Sequence, residues 1–445
     1  MNKPNDKMNR RVVVTGVGPV SAIGIGRAAY FAALAEGRSG IGPVSGGAAG
    51  LAAEIKDFDV REYLETEKAY LDRASQLAFA AMSLALEDAN LDLKSMDRSA
   101  IGLILGSAAG CLESAQFFFG DFLEKGPRFV KPIVFPHTYT NTTISLLAME
   151  YGLSGYHLSL TSGMTASMVA LVQAYDLVRT GKCPLVLAGG FEALSPLLRR
   201  GYELTGRLSP RDGSGPEGCA PFDAARNGFV LGEGAGILVL EEADHAAQRG
   251  APVLGEVLGG NLGSDSSLCK RQGVALGHGL AHVMRHASRQ MSSVDYVSAA
   301  AHGGPVTDRI EALALREFLG VKAGTVPISS IKPMIGEVLG AGGALQAIAA
   351  LGALQSGVLP STLNLKQPEA GWGLAVLQGQ GLQRAVSHAL VNSIDPGGSV
   401  ACLAFGLISD TRVSDSLFPT GGPASTPAAA GVEPRPPGVG LNTEH

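Results

Sequence analysis

Charge is scarce in this chain: Asp, Glu, Lys and Arg together supply 17% of its 445 residues, against 46% for the hydrophobic types. A sequence so apolar does not stay disordered, and this length buries a large core. No block of Lys and Arg occurs and the formal net charge is −5. That excludes a nucleic-acid partner, because displacing condensed counterions takes grouped cations. A run of about 18 apolar residues, as a membrane helix needs, is also missing. The opening MNKPNDKMNRR is polar and passes straight into RVVVTGVG without the apolar stretch of a signal peptide. The expected location is therefore the cytoplasm. Cysteine is rare and scattered: Cys111, Cys183, Cys219, Cys269 and Cys402 are odd in number and lack CxxC spacing. This fits neither a disulfide framework nor a zinc site. Each is expected to be an idle thiol; the other reading, a thiolate nucleophile, needs a setting that lowers its pKa. No motif calls for a metal or an organic cofactor.

What the chain has instead is short Val-, Ile- and Leu-rich runs alternating with Ala-rich segments of helical period, with glycine at the joints. This pattern marks an α/β protein with buried strands. Strands are expected at Arg11–Val17, Ile101–Leu105 and Pro184–Ala188, and helices at Asp72–Asn90 and Thr165–Thr180. A second set starts near Pro252 and includes a helix over Ala281–Gln290, a strand over Asp295–Ala300 and a helix over Asp308–Leu319. The expected domains are an N-terminal half over residues 10–255, a similar C-terminal half over 256–410, and a disordered Pro-, Gly- and Ala-rich tail over 411–445.

Several stretches carry a more specific signal. APFDAARNGFVLGEGAGILVLEEADHAAQRGA, Ala220 to Ala251, is similar almost residue for residue to a segment of the β-ketoacyl synthase family, in its acyl-carrier-protein-dependent branch. RRVVVTGVGPVSAIG, LAGGFEALSP, SSIKPMIGEVLGAGGA and LPSTLNL each match a landmark of that family, in the same order, so that the resemblance covers roughly residues 10 to 409. It implies a thiolase-like fold, two similar α/β halves forming a five-layered αβαβα core. The implied chemistry joins an acyl group, held as a thioester on an active-site Cys, to malonyl-carrier protein with loss of carbon dioxide. That takes the Cys, two His, a Lys and an oxyanion hole of backbone N–H groups.

Position by position, the resemblance implies a dismantled site. The family's Cys precedes Thr or Ser, then Ser and Gly; the matching LSLTSG puts Leu160 where the thiol belongs, and leucine cannot ionise or carry an acyl group. Ser162 is no substitute, since the segment is not a GxSxG elbow, and it is expected to hydrogen-bond at the helix start. His302 survives in AAHGGPVTDRIEA, but the segment is shorter than the family's, and of the hydroxyls that would grip a pantetheine arm only Thr307 is a candidate. Lys332 matches the family lysine. The second His is replaced by Glu337, whose negative charge opposes an enolate where an imidazole would stabilise it. Glu337 is expected either to pair with Lys332 or His302, or to form a new acid and base pair. The family's Phe-Gly-Phe-Gly-Gly loop, which supplies an oxyanion donor and gates the acyl pocket, is replaced by Ile394, Asp395 and Pro396, and proline has no N–H to give. Phe229 is expected in the same pocket region.

Loss of a nucleophile that acts within a unit costs about a millionfold, and loss of one oxyanion donor about a hundred- to a thousandfold. The resemblance therefore implies a non-catalytic subunit similar to chain-length factors, pairing with a Cys-bearing ketosynthase paralogue as a heterodimer and meeting acyl carrier protein through that complex. The alternative is an enzyme that decarboxylates malonyl-carrier protein, or acts on another acyl thioester, with His302, Lys332 and Glu337.

Overall fold

The computed structural model describes residues 10–47, 50–64, 66–68, 70–210, 218–269 and 276–408. The tail expected from residue 411 lies outside the described residues.

Among the described residues eleven strands build the main sheet, joined by the two-residue strand Gly24–Ile25 beside the first. In chain order they are β1 (Val12–Ser21), β2 (Ile101–Gly106), β3 (His157–Leu160), β4 (Leu185–Glu192), β5 (Gly234–Glu242), β6 (Gly255–Ser264), β7 (Tyr296–Ser298), β8 (Pro327–Ser329), β9 (Ala375–Val376), β10 (His388–Ile394) and β11 (Ser399–Gly406). Across the sheet the order is β9-β8-β7-β10-β11-β6-β1-β5-β4-β2-β3. β3, β2 and β4 run parallel, and β5 and β1 follow antiparallel. β8, β7 and β10 repeat this arrangement with β11 and β6. With the two-residue β9 set aside, each half thus uses its five strands in one and the same spatial order, and the halves join where Val12 of β1 pairs with Val257 of β6. Runs such as VVVTGVGPVS in β1 are buried along their whole length, as strands covered on both faces must be.

The helices complete five layers. α1 (Arg73–Asp88) covers the outer face of β1, β4 and β5. α4 (Ala166–Arg179) and α8 (Gly342–Ser356) pack on each other and between the two halves. On the far side α6 (His278–Ala287) covers β6 and β11, and α7 (Pro305–Leu319) packs on α6. The central place of α8 follows from its sequence: GGALQAIAALGALQS has no polar face beyond its two glutamines, and only its last residue escapes burial. Two further helices, α2 (Leu112–Lys125) and α3 (Thr142–Tyr151), follow β2, and α5 (Pro196–Leu204) follows β4.

The expected elements are present with shifted ends. α1 begins after Asp72, whose carboxylate accepts the Ser75 N–H and caps it. The strand expected to end at Ala188 continues to Glu192, and the helix expected over Ala281–Gln290 begins at His278.

Candidate functional site

The carboxyl ends of β3, β7, β8 and β10 point to one place, which is where open α/β sheets expose their functional loops. β3 leads into α4, β7 into the His302 loop, β8 into the Lys332 segment, and β10 into a tight turn carrying Asp395 and Pro396.

At the first of these joints the chain leaves β3 at Leu160, makes one 3-10 turn over Gly163–Thr165, and enters α4. Leu160 is part of the strand: it pairs with Gly106, and its carbonyl accepts the Ser107 N–H at 3.0 Å. The nucleophile position expected at Leu160 falls instead to Met164, because Leu160 ends the strand and it is the 3-10 turn containing Met164 that leads into α4. Met164 is buried and packs with Phe229, Leu231, Leu339 and Tyr202. Ser162 meets the Thr165 hydroxyl at 3.1 Å and makes no side-chain cap to the helix backbone.

The Asp395 turn closes over this helix start. Asp395 Oδ2 accepts the Met164 N–H at 2.9 Å and its Oδ1 accepts the Gly397 N–H at 2.7 Å. Ser393 donates its hydroxyl to the Met164 carbonyl at 3.2 Å, and the Thr165 and Ser399 hydroxyls lie 2.9 Å apart. Gly163 sits at φ +54°, and a Cβ there would stand 2.1 Å from Asp395 Oδ2, so glycine is required on both counts. Ile394, expected at the pocket, points the other way. It pairs with Val400 and packs among Leu280, Val297 and Cys402 in the core of the second half, because side chains alternate along β10.

His302 lies under Phe229, whose ring meets the imidazole edge-on at 4.6 Å. Its Nε2 is 3.0 Å from the Thr307 hydroxyl, and its Nδ1 is buried and has no hydrogen-bond partner among the described residues. Asp308 shapes the loop by accepting the N–H groups of His302, Gly303 and Phe222 at 3.0 to 3.1 Å. Burial pushes the imidazole pKa down to about 4, and Lys332 adds to this against the opposing pull of Asp308. Lys332 Nζ donates to Glu337 Oε1 at 2.9 Å, and the same oxygen accepts the Leu339 N–H at 2.9 Å. The glycine-rich segment clamps Glu337 from the other side, with its N–H given to the Val230 carbonyl and its carbonyl accepting from Gly232.

A cavity of about 270 Å³ opens onto this assembly, lined among others by Arg207, Asn227, Phe229, His302, Thr307 and Pro396. A neighbouring one of about 440 Å³ shares Gly206, Asn227 and Phe229 with it. The larger groove of about 620 Å³ beside Tyr63 and Arg98 shares no residue with either. Two thiols border the assembly: Cys219 donates to the His302 carbonyl at 2.9 Å, with burial pushing its pKa far up, and the exposed Cys269 donates to the Gly397 carbonyl at 3.3 Å. The structure thus brings His302, Phe229, Pro396, Lys332, Glu337 and Asp395 into one neighbourhood. It leaves Leu160 and Ile394 out, and adds Met164, Tyr202, Arg207, Asn227 and Asp308. The signal for Met164 was its place at the start of the Ala-rich helical period, one residue before Thr165.

Comparison with known proteins is consistent throughout. Residues 9–246 match the model of the β-ketoacyl synthase N-terminal domain, and residues 254–366 that of the C-terminal domain. The 3-oxoacyl-[acyl-carrier-protein] synthase 2 of Synechocystis sp. is 32% identical over 406 residues, covering 89% of this chain and 98% of that protein. Among solved structures, the ishigamide ketosynthase/chain length factor superposes with a TM-score of 0.83 at 28% identity, covering 90% of this chain and 100% of that one. A type II polyketide synthase acyl-carrier protein in complex with its ketosynthase bound to the hexaketide gives 0.81 at 27%, with the same coverage.

Proposed function

The chain belongs to the β-ketoacyl synthase family, and from that premise we propose that it is a non-catalytic subunit, similar to a chain length factor, that pairs with an active thiol-bearing synthase in polyketide or fatty-acid-type elongation. One observation carries this reading: the 3-10 turn that leads into α4, where a helix terminus and its N–H groups would activate a nucleophile, carries the thioether Met164. A thioether has no proton to lose and forms no thioester. The donor side of the site is equally spent, since the Met164 N–H is held by Asp395 and Pro396 has none.

Pairing is supported by the edge of the sheet. Among the described residues β3 pairs with no strand but β2; Ser159 of β3 donates its hydroxyl to the Thr140 carbonyl at 3.4 Å, and the segment that runs up to Thr140, from Phe117 to Tyr139, exposes a row of aromatic side chains. Unpaired edges and large apolar patches of this kind are interaction surfaces. The solved ketosynthase/chain length factor of the same fold agrees with this reading, and acyl carrier protein would then be met through the complex. Decarboxylation by His302, Lys332 and Glu337 is less well supported. Burial keeps the His302 imidazole uncharged near neutrality, and the Lys332 amine is engaged with Glu337.

The test is to produce the chain alone and together with a thiol-bearing paralogue. Alone it should neither elongate acyl groups nor release carbon dioxide from malonyl-carrier protein; together the two should co-purify in equal amounts and elongate. A stable homodimer that ignores the paralogue, or ordinary turnover by the isolated chain, sinks the proposal.

A further inference from the structure

Resting on that reading but separable from it, we infer that Asp395 is a built-in occupant of the anion-binding place at the start of α4, so that the site excludes a thioester oxyanion independently of the missing thiol. Two N–H groups face this place, those of Met164 and Gly397, and each is taken by one oxygen of the same carboxylate, at 2.9 and 2.7 Å. A negative charge held there repels both a thiolate on residue 164 and the negative oxygen of a tetrahedral intermediate, and it removes the donors that would stabilise that oxygen. The carboxylate is not a loose visitor. Ser393 and Ser399 fasten the two sides of its turn to Met164 and Thr165, and Gly163 leaves open the space that the carboxylate fills, since a Cβ there would stand 2.1 Å from Oδ2. A turn tied at so many points is held shut over the helix start.

The inference predicts that restoring the thiol alone fails. In Met164→Cys, acyl transfer from hexanoyl-coenzyme A requires a new bond between the introduced thiolate and the acyl carbon. The carbon–sulfur bond of the donor breaks, and coenzyme A leaves as its thiol with the proton. With Asp395 in place this transfer should be negligible. In Met164→Cys/Asp395→Gly it should be at least about a hundredfold faster, the usual effect of one oxyanion donor. Loading is followed by intact-protein mass, and alkylation by iodoacetamide establishes that the thiol is reachable in both variants. Equal loading in the two, whether fast or absent, overturns the inference. A second measurement does not depend on the engineered thiol: in Asp395→Gly the Met164 amide should exchange its hydrogen at least about tenfold faster than in the unaltered chain, and an unchanged rate overturns the inference. Failure here leaves the non-catalytic reading standing, because that reading is tested on the unaltered chain with its paralogue.

Discussion

His302 has one nitrogen engaged by Thr307 and one idle, in a place where only 4% of the residue meets solvent. Burial makes the charged imidazole costly there, and its pKa falls from 6.5 to about 4. Between those values the unfolded chain takes up a proton that the folded chain refuses. The stability that His302 contributes is therefore complete above about pH 6.5 and is lost as the pH falls toward 4. Glu192 and Glu311 act in the opposite direction. Burial pushes both carboxyl groups up to about 7, so as the pH rises from 4.5 the folded chain keeps protons that the unfolded chain gives up, and stability declines. Carbon-detected titration of the histidine rings, with His302 assigned by its absence in His302→Gln, should place its midpoint near 4; a midpoint near 6.5 would contradict the buried, neutral imidazole. Lys332 and Glu337 make a different point. Each satisfies the other in a site closed to solvent, so the two positions that most resemble an acid and a base are also the two most occupied with one another.

At the level of elements, the joint between β3 and α4 shows what the sequence reveals and what it conceals. The α/β alternation and most strand and helix centres follow from periodicity, and the neighbourhood of His302, Lys332, Glu337 and Pro396 is what the family resemblance of their segments implies. Leu160 was misplaced because a Thr-Ser-Gly triplet reads alike before or after a helix start; the hydrogen-bonded pairing of β3 with Gly106 decides between the two, and pairing is a tertiary fact. Ile394 was misplaced because pleat parity assigns its face, and parity depends on where β10 enters the sheet. α8 carries no amphipathic signal, since a helix between the two halves of the sheet has no wet side. Gly163 turns this joint into a measurement. Gly163→Ala combines a left-handed backbone with a Cβ aimed at Asp395 Oδ2, and should cost about 1–3 kcal/mol in urea unfolding. Adding Asp395→Gly should return part of that loss, with a coupling above about 0.5 kcal/mol; strictly additive effects would mean that the contact is not formed.

For the whole molecule, the two halves bury each other's inner faces across α4 and α8, yet one end of the sheet remains open. β3 is its last strand among the described residues, and in the segment that runs up to Thr140, whose carbonyl Ser159 of β3 meets, Leu123 is 81% exposed and Phe129 and Ile133 are each 68% exposed. Phe118, Phe135 and Tyr139 are linked there by ring contacts at 5.4 Å, so the patch is an organised surface. An aromatic face bordering an unpaired strand is poorly suited to water and well suited to the core of an interface, where a standard contact buries about 1,600 Å². A single charge in its middle is therefore expected to abolish pairing while leaving the fold intact, because an unpaired carboxylate buried at an interface costs several kcal/mol but costs little on a free surface. Phe129→Asp is the variant that separates the two effects. Its unfolding free energy should stay within about 0.5 kcal/mol of the unaltered chain. In size-exclusion chromatography with light scattering it should elute apart from the paralogue that retains the unaltered chain. Val321→Asp, on a residue fully exposed in the turn after α7, should leave pairing untouched. If Phe129→Asp still co-purifies in equal amounts, the patch beside β3 is not the pairing surface, and the open end of the sheet needs another explanation.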